Sequence, residues 1–231
     1  MCQAVKPDFI IFFPEGIFSW AWGKGGVCGE KYLMLTAIVL AAGESQRMGS
    51  PKALLKIGEQ TFLGKILCDL KGAGAGKILA VLGAYAEDIR SVVDLSGVTA
   101  LFNPEYKSGQ LSSLWAALRQ LPPETRGVLF TLVDHPGVAL ETYRQLIAAW
   151  EENPEAIIIP EYGDRGGHPV IFPAALSGEF LAAPPSQGAR FVIYHHPELV
   201  KKIQVSDPGV RKDIDTPEDY QNFTGAEYAG I

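Results

Sequence analysis

Leu40-Ala41-Ala42-Gly43-Glu44-Ser45-Gln46-Arg47-Met48-Gly49-Ser50-Pro51-Lys52-Ala53-Leu54-Leu55 is the stretch on which the fold turns. It follows Thr36-Ala37-Ile38-Val39, a β-branched apolar run of the kind that forms a fully buried strand, and it breaks that run at Gly43. A loop is expected from there. Gly43 and Gly49 permit positive φ and let main-chain N–H groups come close to a ligand, while Arg47 and Lys52 add two cations, a combination suited to a polyphosphate. Pro51 stiffens the exit, and the apolar residues after Lys52 tie the loop back to a core. Neither G-x-x-x-x-G-K-[ST] nor G-x-G-x-x-G can be laid on the stretch, which excludes a P-loop and a dinucleotide fingerprint. Gly, Ser, Arg and Lys are also ordinary loop residues, so a plain surface turn is the other reading.

Downstream, strand and helix patterns alternate. Phe62, Leu63, Ile66, Leu67 and Leu70 recur at helical spacing over 62–71, with Cys68 expected beside that face. The glycine-rich 71–76 precedes a strand instead of following one, so it reads as a linker. Strand 78–82, helix 86–93 and strand 98–102 come next, and Leu111, Leu114, Trp115, Leu118 and Leu121 mark a helix opening near Gly109. The positive end of that helix would face an anion or a base edge; an amphipathic helix with a polar start is the plain alternative. Segment 127–133 is apolar nearly throughout, hence a central strand covered on both faces. Asp134 ends it, where open α/β sheets bind ligands and where a hard oxygen donor suits Mg²⁺; turn or cap former is the other role for such an aspartate.

Helix 140–150 and buried strand 156–160 lead to a glycine-rich hairpin signal followed by apolar alternation, read as a hairpin insertion over 161–172. A helical stretch from Gly188 and a strand over 202–205 precede the closing Asp213-Ile214-Asp215-Thr216-Pro217-Glu218-Asp219. Thr216 at N-cap, Pro217 at N1 and Asp219 at N3 form a capping-box pattern. That pattern leaves Asp213 and Asp215 unexplained, and only one of the two is expected to face a cleft. Short connections throughout imply one α/β domain, a mostly parallel sheet with helices on both faces.

Composition narrows the partners. The 231 residues hold 20 Lys and Arg against 26 Asp and Glu, a net charge of −6, which excludes an electrostatic nucleic-acid footprint while allowing a local basic pocket. Cys2, Cys28 and Cys68 are an odd number without C-x-x-C spacing, so neither a disulfide framework nor a zinc site is expected and a reducing cytoplasm fits. In residues 1–33 the apolar Phe9-Ile10-Ile11-Phe12-Phe13 is cut by Pro14, well short of the roughly 20 residues a membrane span needs, so no membrane partner is expected. We expect residues 1–33 to be an extension, non-native or a mis-read start, with the domain over 34–231. A short element packing Trp20 and Trp22 on the domain or a second subunit is the alternative.

L-A-A-G-x-S-x-R-M-G-x-P-K-x-L-L resembles the signature loop of the MobA-like nucleotidyltransferases, and within them the molybdenum cofactor cytidylyltransferase branch. The likeness extends more weakly from about Met34 to the C-terminus. It implies a Rossmann-like fold of the nucleotide-diphospho-sugar transferase type. It also implies a loop around the phosphates of a nucleoside triphosphate, with Arg47 and Lys52 as catalytic cations and Leu40, Ala41, Ala42 and Gly43 in the nucleotide site. N-x(5)-G-x(3)-S-L is similar to the family's base-recognition segment, which adds Asn103, Gly109 and Ser113. The strand-end Asp134 would hold magnesium, although Val133-Asp134-His135-Pro136 departs from the more usual Gly-Asp-x-Pro and leaves His135 without a role. G-H-P-V-x-F is similar to the acceptor wall, which adds Gly167 and His168, a residue that is otherwise a structural hydrogen-bonder. D-I-D-T-P-E-D closes the site, with Asp215 as second metal ligand and Asp213 in reserve on the acceptor side.

The resemblance implies CTP as donor, Mg²⁺ as cofactor, the phosphate monoester of molybdenum-loaded molybdopterin as acceptor, and a molybdoenzyme as docking partner. Ala41-Ala42-Gly43 in place of Ala-Gly-Gly, with Gly167-His168-Pro169, leans to cytidylyl over guanylyl. GTP as donor, a sugar phosphate as acceptor and a non-catalytic carrier of the molybdenum cofactor are the alternatives. An acceptor phosphate is already ionised near neutral pH, so no general base is required, and no Ser-His-Asp set is evident.

Overall fold

The computed structural model describes residues 34–228 and Gly230. The expectations for residues 1–33 lie outside the described residues. The chain runs β1 (Leu35–Ala41), a small hairpin of β2 (Lys56–Ile57) and β3 (Gln60–Thr61), α1 (Phe62–Gly72), β4 (Lys77–Leu82), α2 (Ala86–Val92), β5 (Thr99–Phe102) and α3 (Gln110–Leu118). It continues through β6 (Gly127–Leu132), α4 (Leu140–Glu152), β7 (Ile157–Tyr162), β8 (Arg165–Gly166), β9 (Val170–Pro173), α5 (Ser177–Ala182), α6 (Arg190–His195), β10 (Val200–Gln204) and α7 (Pro217–Thr224). The main sheet has the order β10-β7-β9-β6-β1-β4-β5, with β8 paired to β7 alone.

β1 is central because every one of its residues is buried, so it has no face to offer to water. Side chains alternate across a strand, and β1 splits accordingly. Leu35, Ala37, Val39 and Ala41 join Leu63, Ile66 and Leu67 of α1 and Leu146 and Trp150 of α4 on one face. Ile38 and Leu40 join Leu111 and Leu114 of α3 and Phe180 of α5 on the other. Each fully buried Leu or Phe contributes about 1.5–3 kcal/mol, so these two layers hold the sheet between its helices. β1 pairs in parallel with β4 on one side and β6 on the other, Leu40 lying opposite Val81 and Leu132. The connections leave β1 in opposite directions, which opens a crevice beyond the carboxyl ends of β1 and β6.

The mostly parallel sheet is the expected one, with one correction. The hairpin is confined to β7 and β8, where Glu161 faces Gly166 and Tyr162 faces Arg165. β9 is no insertion: it lies antiparallel between β6 and β7, with Val128 opposite Phe172 and Ile158 opposite Ile171. All four of its residues are buried, which an excursion from the sheet could not provide. Cys68 is exposed and does not pack beside the buried face of α1. At the C-terminal end the capping box forms as its sequence requires: Thr216 Oγ1 accepts from the Asp219 N–H, and the Asp219 carboxylate accepts from the Thr216 N–H at 2.8 Å.

Candidate active site

The loop after β1 is closed by its own main chain. The N–H groups of Met48 and Gly49 both donate to the Ser45 carbonyl at 3.0 Å, and the Lys52 N–H donates to Ser45 Oγ. Ser45 takes φ +51° and Gly49 φ +74°, whereas Gly43 stays outside the left-handed region. A side chain at position 45 is therefore held in a conformation that favours glycine, with its hydroxyl committed to the loop exit. Met48, fully buried with Leu55, Phe62, Ile214 and Tyr220, anchors the loop to the domain. From the neighbouring strand, Gly83 packs so closely that a Cβ there would stand 2.4 Å from the Ala42 carbonyl. Tyr85 beyond it donates its hydroxyl to the Glu44 carbonyl.

Two carboxylates meet the loop. Asp134 follows β6, and its carbonyl accepts the Ile214 N–H at 2.8 Å, which ties the closing motif to the strand end. Residues two apart in an extended run share a side, and Ile214 between Asp213 and Asp215 is turned inward and buried. Both aspartates consequently face the cleft, in different parts of it, where only one was expected to. The Lys52 ammonium donates to Asp215 Oδ1 and stands 3.7 Å from Asp134 Oδ2, and Arg47 Nη2 lies 2.8 Å from Asp215 Oδ2. Burial pushes the Asp134 carboxyl above its ordinary range, against the opposing pull of His135 and Lys52. Burial also works against the charge on Asp215, but the hydrogen bond and charge of Lys52, with Arg47 behind them, outweigh it and hold that carboxyl below its ordinary range.

The crevice is made of two hollows. The loop hollow, about 600 Å³, is lined by Leu40, Ala41, Ala42, Gly43, Arg47, Lys52, Gly109, Ser113, Asp134 and Asp215. The face hollow, about 1050 Å³, runs over the sheet beneath α6 and is lined by Gly167, His168 and Asp213 together with Asp134 and His135. Gln110, Leu132 and Asp134 belong to both. Asp134 is thus the carboxylate on the wall between them, and its Oδ1 is sealed from solvent with no hydrogen-bond partner.

Residues 37–200 match the MobA-like NTP transferase domain. The chain belongs to the MobA-like NTP transferase family, a family of nucleotidyltransferase enzymes. It is 31% identical over 196 residues to a probable molybdenum cofactor guanylyltransferase of Rhodopirellula baltica, covering 80% of this chain and 89% of that one. It is 29% identical over 193 residues to the nicotine blue oxidoreductase of Paenarthrobacter nicotinovorans, covering 80% and 93%. Among solved structures it is similar to Rv0371c from Mycobacterium tuberculosis H37Rv, with a TM-score of 0.72, 31% identity and coverage of 84% of this chain and 98% of that one.

Asn103 of this MobA-like transferase stands apart from the other expected site residues. It is buried behind the wall of the loop hollow, where its amide N–H₂ donates to Ser112 Oγ and Ser113 Oγ at 3.0 Å and its Oδ1 accepts from the Glu105 N–H. Its polar atoms are spent on the turn before α3, so it sets the position of Ser113 from behind. His168 lies on the inner wall of the face hollow, its ring 5.2 Å from that of His135 and edge-on to Phe130. Burial, with the charge of His135 and Arg190 adding to it, lowers its pKa to about 4, so the imidazole is neutral near pH 7. Sequence reasoning missed Tyr85, Tyr106 and Gln110 in the loop hollow and Arg190 and Arg211 in the face hollow. Tyr85 follows a strand end, a signal that was there to be used; the arginines carry none.

Proposed function

We propose that the chain transfers CMP from CTP to the phosphate of a molybdopterin-type molybdenum cofactor. The observation that carries this reading is the position of Asp134, whose carboxylate lines both hollows beside the loop cations. A donor in the loop hollow and an acceptor in the face hollow then meet at one charged wall. An acceptor phosphate oxygen attacks the α-phosphorus, the bond from that phosphorus to the oxygen bridging to the β-phosphorus breaks, and pyrophosphate leaves in line. Arg47 and Lys52 bind the triphosphate and stabilise the charge that gathers on the leaving pyrophosphate. The main-chain N–H groups of 43–47, which are not used in closing the loop, orient it, and Ser113 and Gly109 flank the base end. Gly167, His168 and Asp213 line the acceptor side; His168 Nδ1 is sealed from solvent, so the neutral ring has at most its Nε2 to offer an acceptor.

The donor set fits Mg²⁺. Asp134 Oδ1 is a buried carboxylate oxygen without a hydrogen-bond partner, 3.8 Å from His135 Nε2, and Asp215 adds a second hard donor close by. Among the described residues no cluster of three or more His, Cys, Asp or Glu side chains forms a cage, which suits an ion that takes one or two carboxylates and completes its shell with substrate phosphates and water. When bound, the ion supplies positive charge to the phosphate oxygens that react. Among the described residues no helix is long and apolar enough to cross a membrane, in keeping with soluble substrates. Docking to a molybdoenzyme that receives the product completes the proposal.

CTP is favoured by Ala41-Ala42-Gly43 and Gly167-His168-Pro169, while the guanylyltransferase relative keeps GTP as the competing donor. The similarity to nicotine blue oxidoreductase supports a second reading, oxidation or reduction of a small aromatic substrate on the same scaffold. The test is pyrophosphate release from CTP, GTP, ATP and UTP in turn, with Mg²⁺, with and without molybdenum-loaded molybdopterin. CTP-selective release that requires the acceptor is the expected result. Release with GTP alone would replace the donor, and no release with any triphosphate would overturn transfer in favour of the redox or carrier readings.

A further inference from the structure

The face hollow holds more positive charge than the roles above use. Lys202, Arg190 and Arg211 all line it. Lys202 is neutralised by Glu161, whose Oε1 lies 2.5 Å away. Arg190 and Arg211 are different: neither makes an ion pair or a hydrogen bond with any described residue. The chain carries more carboxylates than cations, 26 against 20, and yet among the described residues no carboxylate pairs with either arginine on this hollow. Asp213 lines the same hollow but stays out of ion-pair reach of both. Two free guanidinium groups facing one space form a planar, many-donor surface matched to phosphate oxygens.

Both arginines are placed from the acceptor wall. Arg211 ends the 3₁₀ turn Pro208–Arg211, directly after Val210, whose carbonyl accepts the His168 N–H at 2.8 Å. That wall is packed without slack: a Cβ on Gly167 would stand 2.0 Å from the Val210 carbonyl oxygen. Arg190 opens α6 across the hollow, near enough for its charge to act on His168. Beneath them the floor is apolar, made by Phe130, Leu132, Val170 and Phe172 of the sheet with Ile193 of α6 above. Such a floor leaves the hydroxyl groups of a polyol unpaired and favours a ring system.

We propose that Arg190 and Arg211 together form the anion-binding subsite of the face hollow, that they receive the acceptor's phosphate monoester, and that the apolar floor selects a phosphate carrying a flat aromatic ring over a sugar phosphate. The assignment rests on the acceptor entering through the face hollow, as in the reading above. It makes the two arginines specificity-determining residues: they hold the dianion at the Asp134 end while the body of the acceptor lies along the sheet.

Isothermal titration of the full chain with three probes tests this: 1-naphthyl phosphate, 1-naphthol and glucose 1-phosphate, with CTP titrated separately. Arg190→Gln and Arg211→Gln are each expected to weaken 1-naphthyl phosphate about tenfold or more, with a larger loss in the double variant, and to change CTP affinity less than twofold. Arg190→Lys and Arg211→Lys should recover part of the loss, which a folding defect would not allow. 1-Naphthol should bind weakly and alike to all variants, and glucose 1-phosphate more weakly than the aryl ester. Unchanged binding of 1-naphthyl phosphate to the double variant overturns the arginine subsite, and glucose 1-phosphate binding as tightly as the aryl ester overturns the selection by the floor. Arginine-dependent binding of the aryl ester in a chain that does not bind CTP would leave this subsite standing and remove the transfer reading; CTP binding without it would do the reverse.

Discussion

The Arg47 guanidinium lies 2.8 Å from the Asp215 carboxylate, Nη2 to Oδ2, and fastens the loop after the first strand to the closing motif of the domain. Arg47 is 71% exposed, so the pair adds little to stability, on the order of 0–1 kcal/mol. Its effect is on orientation, because Lys52 leans on the same carboxylate. Arg47→Ala is expected to leave the melting temperature nearly unchanged and to lower pyrophosphate release about a hundredfold. Asp215→Asn should lower release to a similar extent and also lower the melting temperature, since it takes the charge partner from the largely buried Lys52, and the double variant should lose less activity than the product of the two. Multiplicative losses in that cycle would mean that the two side chains act separately.

Glycine at two positions separates loop placement from general packing. A Cβ on Gly83 would meet the Ala42 carbonyl at 2.4 Å, and a Cβ on Gly127 would meet the Trp150 ring at 2.3 Å, far along the same sheet from the loop. Both Gly83→Ala and Gly127→Ala are expected to cost roughly 1–3 kcal/mol in urea denaturation. Only Gly83→Ala should weaken CTP, by fivefold or more, since it displaces the start of the loop. Equal CTP affinity in the two variants would show that the contact is structural alone.

His168 makes stability depend on pH. Its pKa in the folded chain is about 4, against about 6.5 for an unperturbed histidine, so the unfolded chain takes up the proton first as pH falls. Stability contributed by the neutral folded form is full above about pH 6.5 and is lost as the pH drops through the window toward 4. The loss should be on the order of 3 kcal/mol across that window, and His168→Gln should flatten it. Urea midpoints at half-unit pH steps for both proteins measure this; parallel curves would mean that the imidazole is protonated as readily folded as unfolded.

Asn103 is expected to act through position and not through contact. Asn103→Ala removes the double bond to Ser112 and Ser113 and leaves two buried hydroxyl groups short of a donor, at a cost of roughly 1–3 kcal/mol. Affinity for CTP should fall with it, while selectivity between CTP and GTP should not move. A change in that selectivity would give Asn103 a direct part in reading the base.

Local chemistry made much of this legible. β1 shows itself by a run of buried β-branched residues, α1 by its apolar spacing, and α7 by a capping box and proline whose partners lie within four residues. Asp134 is found because a strand end is a local feature. β9 reads in the sequence as part of a hairpin because Gly163, Gly166 and Gly167 look like turn chemistry, whereas its pairing with β6 is made across some forty residues that no local pattern reports. Gly49 is left-handed as expected, but the other left-handed residue in the loop is Ser45 and not Gly43, since the bond from Lys52 N–H to its hydroxyl stabilises what its own side chain disfavours. Arg190 and Arg211 were invisible for a third reason: what marks them is the absence of a nearby carboxylate, and neighbours in space are not neighbours in sequence.

The shared wall between the hollows also bears on the order of events. Gln110, Leu132 and Asp134 are common to both, while the rest of the lining differs, the loop residues on one side and α6 on the other. In the proposed transfer, donor and acceptor are then expected to bind in either order. A molecule joined from both halves has no such freedom, because it straddles the wall and must withdraw from two sides at once. On that reading the joined product is expected to leave slowly and to compete with each substrate, which product-inhibition kinetics check.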